Sequence, residues 1–186
     1  VEAWHEAIDV RRFELERVDG SPLPEFRAGA HVDLVVHLPD RSRALRSYSI
    51  ASPPSEKPQR YTVAILYEED GTGGSVFLHE KVRAGYNIDI STPKNYFELA
   101  ENVESSILIA GGIGITPILA MAHELSAAEQ PFDLHYAAKT VEHMAFRKTI
   151  EEAFEDQATL YFDEGDPAKG INVAGVLGGP EPGRHV

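Results

Sequence analysis

Residues 110–117 of this chain read AGGIGITP, and they carry its strongest chemical signal. The apolar run over 107–110 predicts a strand. Gly111, Gly112 and Gly114 predict a bend, and Thr116-Pro117 the opening of a helix, since proline at the first helical position gives up only an N–H that has no partner there. Such a bend presents free backbone N–H groups at a helix N-terminus, where they attract an anion. Glycine also lets a pyrophosphate come close to the backbone. The pattern is not GxGxxG, because Pro117 stands where the last glycine would be. A ligand-free turn also explains a glycine bend, but glycines at three positions between strand and helix favour a nucleotide.

Residues 46–49, RSYS, place a cation, two hydroxyls and an aromatic in consecutive positions. A half-buried strand would alternate apolar and polar residues, so this mixture suits a planar, anionic ligand. Taken alone, an edge strand with solvated hydroxyls explains it better. Residues 71–75, GTGGS, precede VFLHE, a short helix by its pattern. Asp70-Gly71 is a hairpin-loop signal, while Ser75 is placed as an N-cap that accepts from the helix amides. Those amides suit one phosphate, neutralised by a bidentate contact from Arg46.

The totals exclude several functions. A formal net charge of -13 argues against nucleic acid, which demands a basic face, and against anionic lipid. It favours a cytoplasmic protein that meets a basic partner surface. No apolar run approaches the ~18 residues of a membrane span, and the first twenty residues lack the apolar core of a secretory signal. With no cysteine, a disulfide, a thiol nucleophile, Cys-ligated zinc and a Cys-held iron–sulfur cluster are all excluded within these residues. His31 and His37 can share a strand face, yet no HxxxH or HExxH spacing occurs, and ordinary surface or barrel histidines account for them. There is no GxSxG elbow.

The elements that must position these stretches change character near residue 101. Before it, residues 7–18, 31–38 and 61–67 read as strands between Gly/Pro breakers, and 83–93 as a turn and another strand. Together they predict a small antiparallel barrel or sandwich. After it, 105–125 reads as strand, bend and helix, and 131–139 as a second strand. Residues 142–155 read as a helix with Phe146, Ile150 and Phe154 on one face, and 158–162 as a third strand. This predicts a parallel α/β sheet with right-handed crossovers. The division falls at 1–102 and 103–186. Residues 163–186 are Gly/Pro-rich and end on His185-Val186, the first step of a fourth strand, so the second domain reads as truncated. The first residue, Val1, allows a processed or trimmed start.

In this order, RSYS, GTGGS and AGGIGITP resemble the ferredoxin–NADP reductase superfamily, and within it the phthalate dioxygenase reductase-type family, over nearly the whole chain. The resemblance implies an all-β flavin-binding barrel followed by a Rossmann-like domain for the nicotinamide nucleotide. It implies that Arg46 meets the flavin phosphate, that Tyr48 packs beside the ring, and that Ser49 hydrogen-bonds near flavin N5. Ser47 and the strand residues Ala64, Ile65 and Leu66 line the site. GxGGS is the form of the FMN-binding branch, so Gly73, Gly74 and Ser75 hold a single phosphate, with Thr72 at the variable position. Gly111, Gly112, Gly114, Ile115, Thr116 and Pro117 would anchor the dinucleotide, Thr116 sitting where flavin meets nicotinamide.

The implied activity is an NAD(P)H-dependent flavoprotein reductase, with Ser49 and Thr116 at the hydride-transfer locus and no general base. NADH is preferred over NADPH because no basic cluster is dedicated to a 2′-phosphate, although Lys139 and Arg147 are candidates. In the resembled family electrons pass to a C-terminal 2Fe–2S ferredoxin domain and a Rieske-type oxygenase. That domain needs four cysteines, and the Cys-Gly-Pro segment that follows a His-Val in the family is missing here. The alternatives are a reductase of free flavin and a nucleotide-binding module without turnover.

Overall fold

The computed structural model describes residues 1–179 and 183–186. The strands are β1 (Glu2–Ala7), β2 (Val10–Leu15), β3 (Ala30–His37), β4 (Arg43–Ser49), β5 (Tyr61–Leu66) and β6 (Lys94–Asn95), with helix α1 (Gly74–Lys81) between the last two. They form two antiparallel three-stranded sheets, ordered β1-β2-β5 and β4-β3-β6. An Ile50–Val63 bridge and the Ala51 N–H donating to the Thr62 carbonyl (2.8 Å) join them. Phe13, Val32, Leu34, Tyr61 and Val63 fill the space between, and Leu78 of α1 is buried in the same core. This is the antiparallel barrel expected from the alternation of β3 and the β-rich run of β5.

The second half is a parallel sheet of β7 (Ser105–Gly111), β8 (Phe132–Ala138), β9 (Ala158–Phe162) and β10 (Arg184–His185), ordered β10-β7-β8-β9. The helices are α2 (Ile115–Ala127), α3 (Arg147–Ala153) and α4 (Val173–Leu177). Leu108, Leu134 and Tyr136 of the strands pack with Leu119 and Leu125 of α2 and Ile150 of α3. The antiparallel barrel followed by a Rossmann-like unit matches the reading, and the fourth strand does begin at the end of the chain. Part of the Gly/Pro-rich tail, residues 180–182, lies outside the described residues.

The two halves share one core. Val10, Ala28, Ala51 and Ala64 from the barrel belong to the same buried cluster as Ile115, Ile118 and Leu119 of α2. Alanine at three of these barrel positions lets helix and strand come close. Hydrogen bonds fasten both flanks. Glu124 of α2 accepts from the Ala28 N–H (2.9 Å), and Glu6 of β1 accepts from the Phe146 N–H (2.9 Å).

Four local expectations fail for identifiable reasons. Residues 7–18 are not one strand: the chain reverses at Ile8-Asp9, where Asp9 adopts φ 58, a left-handed turn without glycine. Residues 83–93 contain only a single bridge, Ile90 to Leu34, because the Ser91 hydroxyl accepts from the Asp33 N–H (2.9 Å) in place of a ladder carbonyl. Of residues 142–155 only Arg147–Ala153 is α-helical, Glu142 and His143 closing a 3-10 turn; Phe146 sits at φ 59 before the helix, although Phe146, Ile150 and Phe154 are all buried. Pro117 is the third helical residue rather than the first, still inside the first turn where its missing N–H costs nothing.

Candidate active site

A cleft of about 250 Å³ opens between the halves. The barrel supplies Arg46, Ser47, Tyr48 and Ser49 of β4, Ala64, Ile65 and Leu66 of β5, and Glu68, Thr72, Gly74 and Ser75 beyond it. The glycine bend supplies Ile113 and Thr116. The sequence elements at 46–49, 71–75 and 110–117 therefore meet at one place, although β-sheet, loop and helix separate them along the chain.

Arg46 defines one end. Its Nη2 donates to Thr72 Oγ1 (2.6 Å) and its Nη1 to the Leu45 carbonyl (2.8 Å). Among the described residues it has no carboxylate partner. A guanidinium offers five donors, so N–H groups remain for an anion. Gly74 is required by this arrangement: a Cβ there would stand 2.8 Å from Arg46 Cγ. Gly73 does not line the cleft. It occupies φ 88, and a Cβ on it would meet Pro39 Cδ at 2.9 Å, so it serves the turn that starts α1.

Ser75 corrects an expectation. The helix begins at Gly74 with Gly73 as its cap, which puts Ser75 inside the first turn. Its hydroxyl accepts from the Glu68 N–H (3.1 Å) and donates to the Glu68 carbonyl (3.3 Å), so it braces the loop and does not cap the helix. Ser47 is similarly engaged, donating to Asp33 Oδ1 (2.5 Å). Lys94 (2.6 Å) and then Ser47 hold the Asp33 carboxyl below the usual carboxylate range. Burial, aided by Glu68 and opposed by Arg46, pushes the Tyr48 phenol up to about 12, so it stays protonated. His79 of α1 hydrogen-bonds the Ile65 carbonyl (2.8 Å), tying β5 to the helix that carries the GTGGS loop.

On the opposite wall, Thr116 is buried and donates to the Ile113 carbonyl (3.1 Å). Ile115 is fully buried in the shared core, which takes its side chain out of the cleft. Gly111, Gly112, Gly114 and Pro117 lie beside the cleft without lining it. A Cβ on Gly111, Gly112 or Gly114 would meet nothing within 4 Å, so the bend faces open space. At Gly111 and Gly114, where φ is negative, neither packing nor backbone strain demands glycine.

Two lining residues, Ile113 and Glu68, escaped the sequence reading. Ile113 lies inside the quoted bend, between two glycines, and that position was its available signal. Glu68 is one acid among several in a loop and carried none. Among the described residues no group of three or more His, Asp or Glu side chains is placed to hold a metal ion, and no helix is long and apolar enough to cross a membrane.

No protein-family model matches the chain. Individual relatives do. Vanillate O-demethylase oxidoreductase of Pseudomonas putida is 44% identical over 182 residues, covering 97% of this chain and 55% of the relative. The solved structure of phthalate dioxygenase reductase, described as modular for electron transfer from pyridine nucleotides to [2Fe–2S], superposes with a TM-score of 0.91 at 34% identity. That match covers 100% of this chain and 57% of the other. Over nearly its whole length the chain is similar to the phthalate dioxygenase reductase-type family. It spans about half the length of the curated relatives it matches, including the tert-butanol monooxygenase / tert-amyl alcohol desaturase reductase subunit of Aquincola tertiaricarbonis, at 39% identity over 96% of this chain and 52% of that protein. Its barrel and glycine bend form facing walls of a single cleft.

Proposed function

We propose that this chain is the flavin- and nicotinamide-binding part of an NAD(P)H-dependent reductase that serves an oxygenase. The single observation that carries this reading is the common cleft of residues 46–49 and 71–75 with Thr116. The donor set suits a flavin. Tyr48 offers a neutral aromatic wall, the backbone of Ala64 to Leu66 an extended edge, and Arg46 a cation with no carboxylate partner among the described residues. FMN is favoured over FAD, since the GTGGS loop and one arginine match one phosphate. We assign Arg46, Thr72 and the amides of the loop to that phosphate. Ser49 and Thr116, polar groups from the two walls, are assigned to the reacting region.

A bound flavin supplies acceptance of a hydride from reduced nicotinamide and release of electrons singly. The chain's own part is placement. The shared core and the Glu124 and Glu6 hydrogen bonds hold the glycine bend against the barrel, so that two bound rings meet in a fixed geometry. The open face of Gly111, Gly112 and Gly114 admits the dinucleotide. NADH is the preferred donor. Arg147 is paired with Glu151 (2.7 Å), and Lys139 is left beside Asp163 and Glu164, whose amides bond to the Ala138 and Lys139 carbonyls. A 2′-phosphate at that edge would meet carboxylates.

By analogy with its relatives, electrons would leave for a 2Fe–2S ferredoxin domain and a Rieske-type oxygenase. We assign 1–102 to the flavin domain and 103–186 to the nucleotide domain, and a cytoplasmic location. Chromatography and mass of the flavin released on denaturation test the cofactor: FMN supports the reading and FAD corrects it. Anaerobic stopped-flow mixing with NADH should bleach the flavin absorbance; a flavin that stays oxidised would favour a binding module.

A further inference from the structure

We propose that Glu68 selects for the polyol segment of the flavin, its carboxylate accepting from the hydroxyls between ring and phosphate. This rests on the flavin reading above and adds a specificity residue to it. Glu68 is fixed beside the start of α1, because Ser75 holds both its backbone N–H and its carbonyl. Glu68 is an exposed lining residue of the cleft, and its carboxylate has no hydrogen bond or ion pair among the described residues. It leans over the loop, with Oε2 3.8 Å from where a Cβ on Gly71 would stand.

Arg46 lines the same cleft and does not pair with it, turning instead to Thr72 and the Leu45 carbonyl. A cation and a carboxylate thus share about 250 Å³ without meeting. Tyr48 lines the same cleft as both, and its hydroxyl too has no hydrogen-bond partner among the described residues. An ionised acceptor, a phenol and a guanidinium around one gap match a chain of hydroxyls that ends in an anion. The carboxylate cannot accept from a phosphate dianion and would repel it, whereas hydroxyls donate. The phosphate therefore belongs with Arg46 and the loop, and the polyol with Glu68.

The test is fluorescence-quenching titration of the 186-residue chain, Glu68→Gln and Glu68→Ala with lumiflavin, riboflavin and FMN, with melting curves confirming that each is folded. Lumiflavin has the ring without the polyol. Hydrogen bonds to a charged acceptor make Glu68→Ala weaken riboflavin about tenfold or more. FMN should weaken in parallel, lumiflavin should be unaffected, and Glu68→Gln, which keeps an acceptor oxygen, should lose less. Riboflavin affinity that is the same in all three proteins overturns the proposal, as does an equal loss for lumiflavin. If none of the three flavins binds the unsubstituted protein, it is the flavin reading itself that fails.

Discussion

Replacing Arg46 with alanine should separate FMN from riboflavin. Two of the guanidinium's donor nitrogens are occupied, by Thr72 Oγ1 at 2.6 Å and the Leu45 carbonyl at 2.8 Å, which aim the group while leaving N–H donors for a phosphate. Hydrogen bonds between a guanidinium and an anion contribute about 1.5–3 kcal/mol, and at about 1.4 kcal/mol per decade this is roughly 10- to 150-fold in Kd. Arg46 is only half-buried, so salt screens part of the effect, and the lower end is expected at 0.15 M ionic strength. Riboflavin lacks the phosphate and should lose little. Arg46→Lys keeps the charge without the planar fork and should fall between. The assay is titration of both ligands by quenching of flavin fluorescence at low and high salt. An equal loss for riboflavin and FMN would refute the reasoning, because Arg46 would then support the ring or the loop. An unchanged FMN affinity would place the phosphate elsewhere.

Other consequences follow from single contacts. Gly74→Ala should weaken FMN in the same titration, because the new Cβ would stand 2.8 Å from Arg46 Cγ and displace it. Glu6→Ala removes the acceptor of the buried Phe146 N–H and should cost about 1–3 kcal/mol in denaturant unfolding, with Glu6→Gln costing less. Asp33 is held below its ordinary value of 3.8 when folded, so its stabilisation is complete above that value and lost as pH falls through the lowered folded value. The stability gap between the protein and Asp33→Asn should be level above pH ~5 and shrink below pH ~4; a gap independent of pH would mean that the Lys94 and Ser47 contacts do not govern its titration.

The strand–bend–helix over 105–125 was legible because composition, periodicity and breakers agreed there. The joint use of Arg46 with residues 71–75 was legible from residue chemistry combined with family resemblance. What stayed hidden depended on three dimensions. The β1–β2 reversal uses Asp9 at φ 58, and no Gly or Pro marks it. Ser91 broke a ladder with its side chain, a competition that alternation cannot reveal. Ser75 reads as a cap because its type and place are right, but the left-handed Gly73 starts the helix two residues earlier and turns the hydroxyl toward Glu68. The Phe146, Ile150, Phe154 stripe is buried as its spacing implied, though Glu6 reaches from the barrel to hold Phe146 outside the helix. Glu68 and Ile113 came into view only when both walls of the cleft were assembled.

A second, larger groove of about 500 Å³ runs beside residues 85–92, far from the glycine bend in its lining. It has more room, but Arg46, Tyr48 and Thr116 do not line it, so chemistry favours the smaller cleft. A crystal structure of the chain with FMN decides between them most directly. The account predicts the ring between Tyr48 and Thr116, with phosphate oxygens within hydrogen-bond distance of the Arg46 guanidinium. Flavin density in the groove of residues 85–92, or a phosphate away from Arg46, would contradict it.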